Sequence, residues 1–450
     1  MRSIFYLILI LIIMAGCSSE GNVISDEPIS VVEYKYVEHN QWIYAQMNHN
    51  YLWREDLPDS LDCDYTLTPP DFYNSILSSK DRFSYITTNS YYNPPEECNY
   101  GIAYQLYSDI KGNQAIQILY ATAYIEQQYG IKRGDYFRII DQSNESLTLQ
   151  RVELNDNNIF ETVKADAVML SNRVNSYNST VLLDSIYHIG NNKIGYICYL
   201  EYNQRSDLYP SLQKIFNNNI TDLILDLRYN PGGYVSTCRY LCNCIVSENG
   251  YNAIFQQCSY NDILSKYYLE TIGSELTFEY YEDLNNLQEN ILGTPKVPLK
   301  LNRLYVLTSS HTASASEATI ICLRPFMEVV VIGETTTGKG VGSTSFFDSR
   351  YKYMIQPIIM RYYNANGETT PDDGLIPDYY VSDGYSVSTS RLGQVEEPLL
   401  SKALQLICPE IPSDIKGLYK GKPLPKIVPI GEPSYVIEHN KKIKYKNIYN

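Results

Sequence analysis

Arg303-Leu304-Tyr305-Val306-Leu307-Thr308 runs straight into Ser309-Ser310-His311-Thr312-Ala313-Ser314-Ala315-Ser316-Glu317. The first six residues form a continuous apolar run of strand length, and 315–323 reads as a helix, so a serine-rich loop joins a strand end to a helix start. Outward from this unit the rhythm repeats. Residues 193–200, 223–227 and 329–332 read as strands, and 208–216 and 235–246 as helices. Unbroken apolar strands alternating with helices predict a sheet covered on both faces from about residue 170 onward.

Upstream the pattern changes. Residues 99–166 read as short strands at 101–106 and 115–121, a helix at 123–129, a Gly130 stop, a tight turn at Arg133-Gly134-Asp135 and a new strand. Residues 23–95 are polar and aromatic, with helices near 40–53 and 71–78, and read as a small helical cap. The last forty residues carry eight Lys against three acids, which makes them +5 on a body of −20. A basic, Pro-interrupted tail of this kind reads as a solvated strap across an acidic surface.

Four hundred and fifty residues fit two or three folded units. A formal charge of −15 opposes general affinity for phosphate backbones, so nucleic acid is excluded as a partner class. Tyr stands out, 44 against 11 Phe and 2 Trp, and reads either as a peptide- or glycan-binding surface or as compositional background. Met1-Arg2-Ser3, the apolar 4–14 and Ala15-Gly16-Cys17 follow the plan of a secretory signal, and the apolar run is too short to span a bilayer. Met14-Ala15-Gly16-Cys17 also resembles the bacterial lipobox, which implies lipidation of Cys17 and attachment to a membrane surface. Beyond Cys17, nine cysteines remain. Cys238, Cys242 and Cys244 cluster, but with neither C-x-x-C spacing nor a His pair, so no metal is expected and most thiols read as small buried hydrophobes, with one or two bridges possible.

Three strand-end loops carry the chemistry-bearing residues. Asp226-Leu227-Arg228-Tyr229-Asn230-Pro231-Gly232-Gly233 runs from a strand into a Pro-Gly-Gly turn, whose glycines let backbone N–H groups approach an oxyanion. In the serine-rich loop, Ser314 opens a helix, where the dipole favours negative charge. Glu317 three residues on also completes a capping-box pattern. The third loop is Gly333-Glu334-Thr335-Thr336-Thr337-Gly338-Lys339-Gly340-Val341-Gly342. It is not a phosphate loop, because Gly340 stands where Ser or Thr must follow the Lys, so no nucleotide or other cofactor is expected.

Together the loops resemble the S41 peptidases, the C-terminal processing or tail-specific proteases, whose motifs read Asp-Leu-Arg-x-Asn-Pro-Gly-Gly, Ser-Ala-Ser-Ala-Ser-Glu and Gly-Glu-x-Thr-x-Gly-Lys-Gly. Asp372-Asp373-Gly374-Leu375-Ile376-Pro377-Asp378 is similar to that family's later Gly-Ile-x-Pro-Asp segment, and the likeness covers 99 to about 408. It implies an α/β fold: an α+β peptidase core of the ClpP/crotonase-like type with a small β-rich PDZ-like domain and an N-terminal helical cap. The expected division is a signal peptide (1–16), tether and cap (17–95), a PDZ-like domain (99–168), the peptidase core (170–410) and the basic tail (411–450). Carried over by position, the resemblance makes Ser314 the nucleophile, because it lies twenty-five residues before Lys339, whereas Ser316 and Ser310 lie twenty-three and twenty-nine before it. Lys339 is then the base, which requires a neutral amine and therefore burial.

The implied oxyanion donors are Ala315 and Gly232 or Gly233. Many relatives place Gln four residues after the Lys; Ser343 stands there and is the residue expected to orient Lys339. His188 and His311 do not fit the family's His-containing pattern and read as structural. In the PDZ-like unit, Tyr100, Gly101 and Ile102 occupy the place of a carboxylate-binding loop and imply capture of substrate C-termini. The implied activity is that of a lipid-anchored serine endopeptidase in the bacterial cell envelope, facing the periplasm or the outer-membrane surface. The competing expectation is an inactive relative that binds peptide or glycan through Tyr. A glycan-cleaving enzyme would need a carboxylate pair that the sequence does not offer.

Overall fold

The computed structural model describes residues 35–88, 99–164, 166–171, 180–282, 297–348, 350, 353–384, 390–409 and 426–436. The apolar leader and Cys17 lie outside them. Among the described residues no helix is long and apolar enough to cross a membrane.

A six-stranded sheet forms the centre. Its order is Tyr379–Tyr380, Glu328–Gly333, Arg303–Thr308, Asp222–Asp226, Asn192–Tyr199 and Val181–Ile189. The first five strands run parallel and the last is antiparallel. Successive residues point to opposite faces. Leu223, Leu225, Leu304, Val306 and Val331 join one apolar cluster with residues from the helices Arg205–Asn217, Val235–Ile245 and Ala315–Leu323. Ile224, Tyr305, Leu307 and Ile332 join a second cluster with Leu399, Leu400, Ala403 and Leu404 of the helix Pro398–Ile407. With about 1.5–3 kcal/mol from each fully buried Leu, Ile or Val, this two-faced burial makes the sheet the platform that carries the loops. The expected rhythm holds, with Arg303–Thr308 and Ala315–Leu323 at the bounds read from sequence.

Residues 102–171 build a second, antiparallel sheet from Ile102–Ser108, Gln114–Ala121, Tyr136–Gln142, Ser146–Leu154, Phe160–Thr162 and Val168–Ser171. The helix Ala123–Tyr129 is capped by the Thr122 side chain and ends at Gly130 in the left-handed conformation (φ 64°), as Gly allows without a Cβ penalty. On its free edge the strand Ile102–Ser108 pairs with Val428–Ile430 from the C-terminal tail. Tyr104 N donates to Ser434 Oγ at 2.9 Å, and Gln105 Nε2 reaches the carbonyls of Ile430 and Gly431 at 3.1 Å. Within the described part of the tail, 426–436, Val428–Ile430 is an edge strand with Val428 exposed and Tyr435 is buried; the rest of 411–450 lies outside the described residues.

The N-terminal region packs the helices Val37–Asn50 and Pro69–Ser75 around Ile43, Met47, Tyr51, Phe72 and Tyr73. From there Tyr85–Thr88 pairs with Tyr353–Gln356, which stitches this region to the main body.

Part of the tyrosine content is core, while Tyr267, Tyr280 and Tyr380 are exposed. Tyr196, Tyr199, Tyr202, Tyr229, Tyr281 and Tyr305 are among the largest fully buried side chains. Three of these hydroxyls have buried partners: Tyr196 donates to Asp226 at 2.7 Å, Tyr281 donates to the Cys322 carbonyl at 2.7 Å, and Tyr202 is bonded with Thr319 at 2.6 Å. All eight described cysteines are free thiols, and all but Cys63 are buried.

Candidate active site

The Pro-Gly-Gly turn leaves the sheet above a buried ion cluster. Arg228, fully buried, donates to Asp226 (3.0 Å), to both oxygens of Glu397 (2.5 and 2.8 Å) and to Asp383 (2.5 Å). Arg133, from the turn of the second sheet, adds a bond to Asp383 (2.6 Å) and another to the Tyr229 hydroxyl. Burial drives Asp383 upward, but the two guanidiniums hold it below the usual carboxylate range; Asp226, with Arg228 alone, is pushed up by burial. The cluster fixes the base of the turn, since a buried charge deprived of its partner is strongly unfavourable.

Above it, Gly232 and Gly233 adopt φ of 112° and 140°. A Cβ on Gly232 would lie 2.8 Å from Ser314 Cβ, and one on Gly233 only 2.2 Å from the Tyr202 carbonyl oxygen. Both glycines are therefore required by close approach. They differ as donors. Gly232 N–H is bonded to Asn230 Oδ1 at 2.9 Å, as an Asn two residues back in a turn is placed to do. Gly232 is thereby corrected out of the set of expected oxyanion donors. Gly233 N–H and Ala315 N–H have no acceptor among the described residues.

Ser314 sits at the start of the helix Ala315–Leu323 with φ 57° and ψ −115°. A left-handed backbone at a non-glycine residue is strained, and such strain concentrates at functional positions. The surrounding serines are otherwise occupied: Ser309 Oγ is bonded to the Arg228 carbonyl, and the buried Ser316 Oγ donates to the Asn230 carbonyl at 3.0 Å. Ser314, which forms a capping box with Glu317, lines a cleft of about 160 Å³ with Lys339, Gly233, Tyr202, Asn203, Val235, Val341, Ser343, Gln356 and Met360. Ser314 and Lys339 share this cleft without a hydrogen bond joining their side chains.

What ties the two loops together is Glu317, fully buried, with both oxygens filled. Oε2 accepts Ser314 N–H (2.9 Å) and Lys339 N–H (2.8 Å), and Oε1 accepts Gly338 N–H (2.8 Å) and the Thr336 hydroxyl (2.5 Å). Burial raises its pKa against the pull of these donors. Sequence shows Glu317 only as half of a capping box; its link to the third loop depends on tertiary contact.

Lys339 has its pKa lowered by burial, with Glu317 and Asp81 opposing. Ser343, expected to orient it, makes no bond to Lys339; its Oγ accepts Gln356 Nε2 at 2.8 Å. Gln356, on a different strand, is a glutamine that lines the same cleft as the lysine, and no local motif reveals it. Phe83, Arg82 and Asp81 from the N-terminal region also surround Lys339, and nothing in the sequence ties them to it.

The remaining expected residues lie elsewhere. Tyr100 and Ile102 are buried in the core of the second sheet, and the Tyr100 hydroxyl donates to the Ser143 carbonyl. Gly101 has φ 74° and donates its N–H to Asn99 at 2.9 Å. The edge of the strand they lead into already carries Val428–Ile430. His311 faces the tail, with Nδ1 3.4 Å from Glu432 and its ring edge-on to Tyr435, and His188 is exposed on its strand. Among the described residues no cluster of His, Cys, Asp or Glu could hold a metal ion.

The model of peptidase family S41 matches residues 193–381, and that of the S41 N-terminal domain matches 38–85. Over 192 residues the chain is 26% identical to the chloroplastic carboxyl-terminal-processing peptidase 1 of Arabidopsis thaliana, a match spanning 42% of this chain and 34% of that one. The chain thus matches about a third of the length of that curated relative. Its fold is similar to the crystal structure of a Bacteroides fragilis protein assigned to the S41 proteases, with TM-score 0.66 and 22% identity over 81% of this chain and 96% of the other.

Proposed function

The chain belongs to peptidase family S41, and on that premise we propose that it is a serine endopeptidase cutting proteins or peptides near their C-termini through an acyl-enzyme. One observation carries this reading. A strained serine and a half-buried lysine, on separate loops, line one cleft, with two unbonded N–H groups beside the serine.

Neutral Lys339 Nζ takes the Ser314 Oγ proton as Oγ attacks the scissile carbonyl. Ala315 and Gly233 N–H groups hold the oxyanion, each worth about 3 kcal/mol of transition-state stabilisation. Collapse breaks the C–N bond, and the Lys339 ammonium returns the proton to the departing amine. Water, deprotonated by Lys339, then releases the acyl group and regenerates Ser314. Since the side chains are not bonded in the free enzyme, Lys339 swings onto Ser314 when substrate fills the cleft. Val235, Val341 and Met360 along the cleft favour an apolar substrate side chain.

The reading extends to an exported protein held at a bacterial envelope membrane by lipid on Cys17, as the sequence of residues 1–17 supports. Turnover of an apolar-tailed peptide by Ser314→Ala and Lys339→Ala tests the chemistry. Both variants are expected to lose cleavage, and undiminished turnover in either contradicts the proposal.

A further inference from the structure

Lys339 is enclosed by more than its own loop. The segment 81–85, which belongs to the N-terminal region, forms a wall against it. Asp81 shapes this wall: its Oδ1 accepts Phe83 N–H and Ser84 N–H, both at 2.9 Å, and its Oδ2 accepts the Tyr51 hydroxyl at 2.7 Å. Arg82 latches it to the lysine loop, donating to the carbonyls of Gly338 (3.1 Å) and Asp372 (2.5 Å). Phe83 presents its ring to the lysine, with Nζ 5.4 Å from the ring centroid. Behind it, Ser84 Oγ accepts Ile358 N–H at 2.8 Å, and the Tyr85 hydroxyl donates to Gln356, the residue that holds Ser343.

We propose that Phe83 is a positioning residue for catalysis, the one that excludes water from Lys339 and so keeps it in the neutral form the chemistry needs. The inference rests on the reading of Lys339 as the base. Phe83 acts in two opposed ways. As a bulky apolar group it removes water, which disfavours the ammonium; as a π-face near Nζ it favours the ammonium. Desolvation of a buried amine is the larger effect, so the net action is to depress basicity. The other groups bearing on Lys339 are Glu317 from the helix below and Asp81 from the wall, both favouring the ammonium. Arg82 is latched to the adjacent backbone, Tyr362 donates its hydroxyl to the Lys339 carbonyl, and Asp372 is paired with Arg361 at 3.2 Å.

The test uses the full chain and two readouts. One is the pH profile of kcat/KM on a fluorogenic peptide with an apolar C-terminal tail. The other is the pH dependence of Lys339 acetylation by acetic anhydride, read by peptide mass spectrometry and independent of turnover. In Phe83→Ala both profiles are expected to move to higher pH, with activity at neutral pH falling about tenfold for each unit of displacement and recovering in alkali. Phe83→Leu, which keeps the apolar bulk without the π-face, is expected to leave the profiles in place or move them lower. Arg82→Ala, an exposed change that unlatches the wall, is expected to move them in the same direction as Phe83→Ala. Unmoved acetylation profiles in both Phe83→Ala and Arg82→Ala overturn the proposal, as does a loss of activity uniform at all pH values. If Ser314→Ala cleaves as well as the parent, the peptidase reading fails, while the acetylation profiles still decide the role of Phe83.

Discussion

Ser314 and Lys339, twenty-five residues apart in sequence, hang by their backbone N–H groups from one atom, Oε2 of Glu317, at 2.9 and 2.8 Å. No hydrogen bond joins the two side chains, but the loops that carry them share one anchor. Glu317→Gln should therefore separate folding from catalysis. The amide turns one end of its side chain into a donor facing N–H groups, which costs about 1–3 kcal/mol of stability. Displacing either loop by an ångström should lower kcat by about 10²-fold. Thermal melts alongside kcat measurements check this, and a stable variant with full kcat would dissociate Glu317 from the chemistry.

The two glycines of the turn should fail differently. A side chain on Gly232 collides with the serine, so Gly232→Ala is expected to cut kcat. Gly233→Ala places a methyl against the Tyr202 carbonyl and displaces a free N–H, with an expected loss of about 10²–10³ in kcat for the missing oxyanion donor. Steady-state kinetics with KM and kcat resolved decide the point. A Gly233→Ala enzyme altered only in KM argues against an oxyanion role.

Arg133 reaches from the second sheet into the ion cluster beneath the turn and is almost fully buried. Arg133→Ala leaves the Asp383 carboxylate with one guanidinium in place of two, so a loss of about 3–5 kcal/mol is expected in urea unfolding. A change below about 1 kcal/mol would mean that the cluster relaxes around the gap.

The N-terminal helix carries a pH-dependent weakness. Burial lowers His39 to about 4, partly offset by the Asp348 carboxylate. The unfolded chain takes up this proton near 6.5, well before the folded one can. The contribution of His39 is therefore complete above 6.5 and is lost as pH falls toward 4, by at most about 3 kcal/mol. Urea midpoints from pH 7 to 4.5 should fall in the parent and flatten in His39→Phe, which keeps a ring between Trp42 and Tyr353. Equal slopes would remove His39 from the account.

Legibility in the sequence follows the range of the interaction. Elements set by local periodicity and caps, such as Ala123–Tyr129 and Arg303–Thr308, stand where the sequence places them. Ser314 and Lys339 are singled out in the sequence by the resemblance to the S41 motifs, and both line one cleft. The choice between Gly232 and Gly233 as donor stays open in the sequence although its signal is local: an Asn two residues earlier takes the Gly232 N–H. Gln356, Phe83 and Arg133 are unreadable from sequence, since each meets its partner only after strands distant in the chain have paired. The tyrosines mislead for a different reason. Composition cannot tell a ring whose hydroxyl has a buried partner from one displayed for a ligand.

The central claim is that Ser314 is acylated with Lys339 as its base. The most direct measurement is to quench the enzyme with acid during turnover of an apolar-tailed peptide and to map the adduct by mass spectrometry. The expected result is an acyl group of the mass of the substrate's N-terminal portion on Ser314, absent in Ser314→Ala and Lys339→Ala. An adduct on another residue, or an undiminished Ser314 adduct in Lys339→Ala, would contradict the claim.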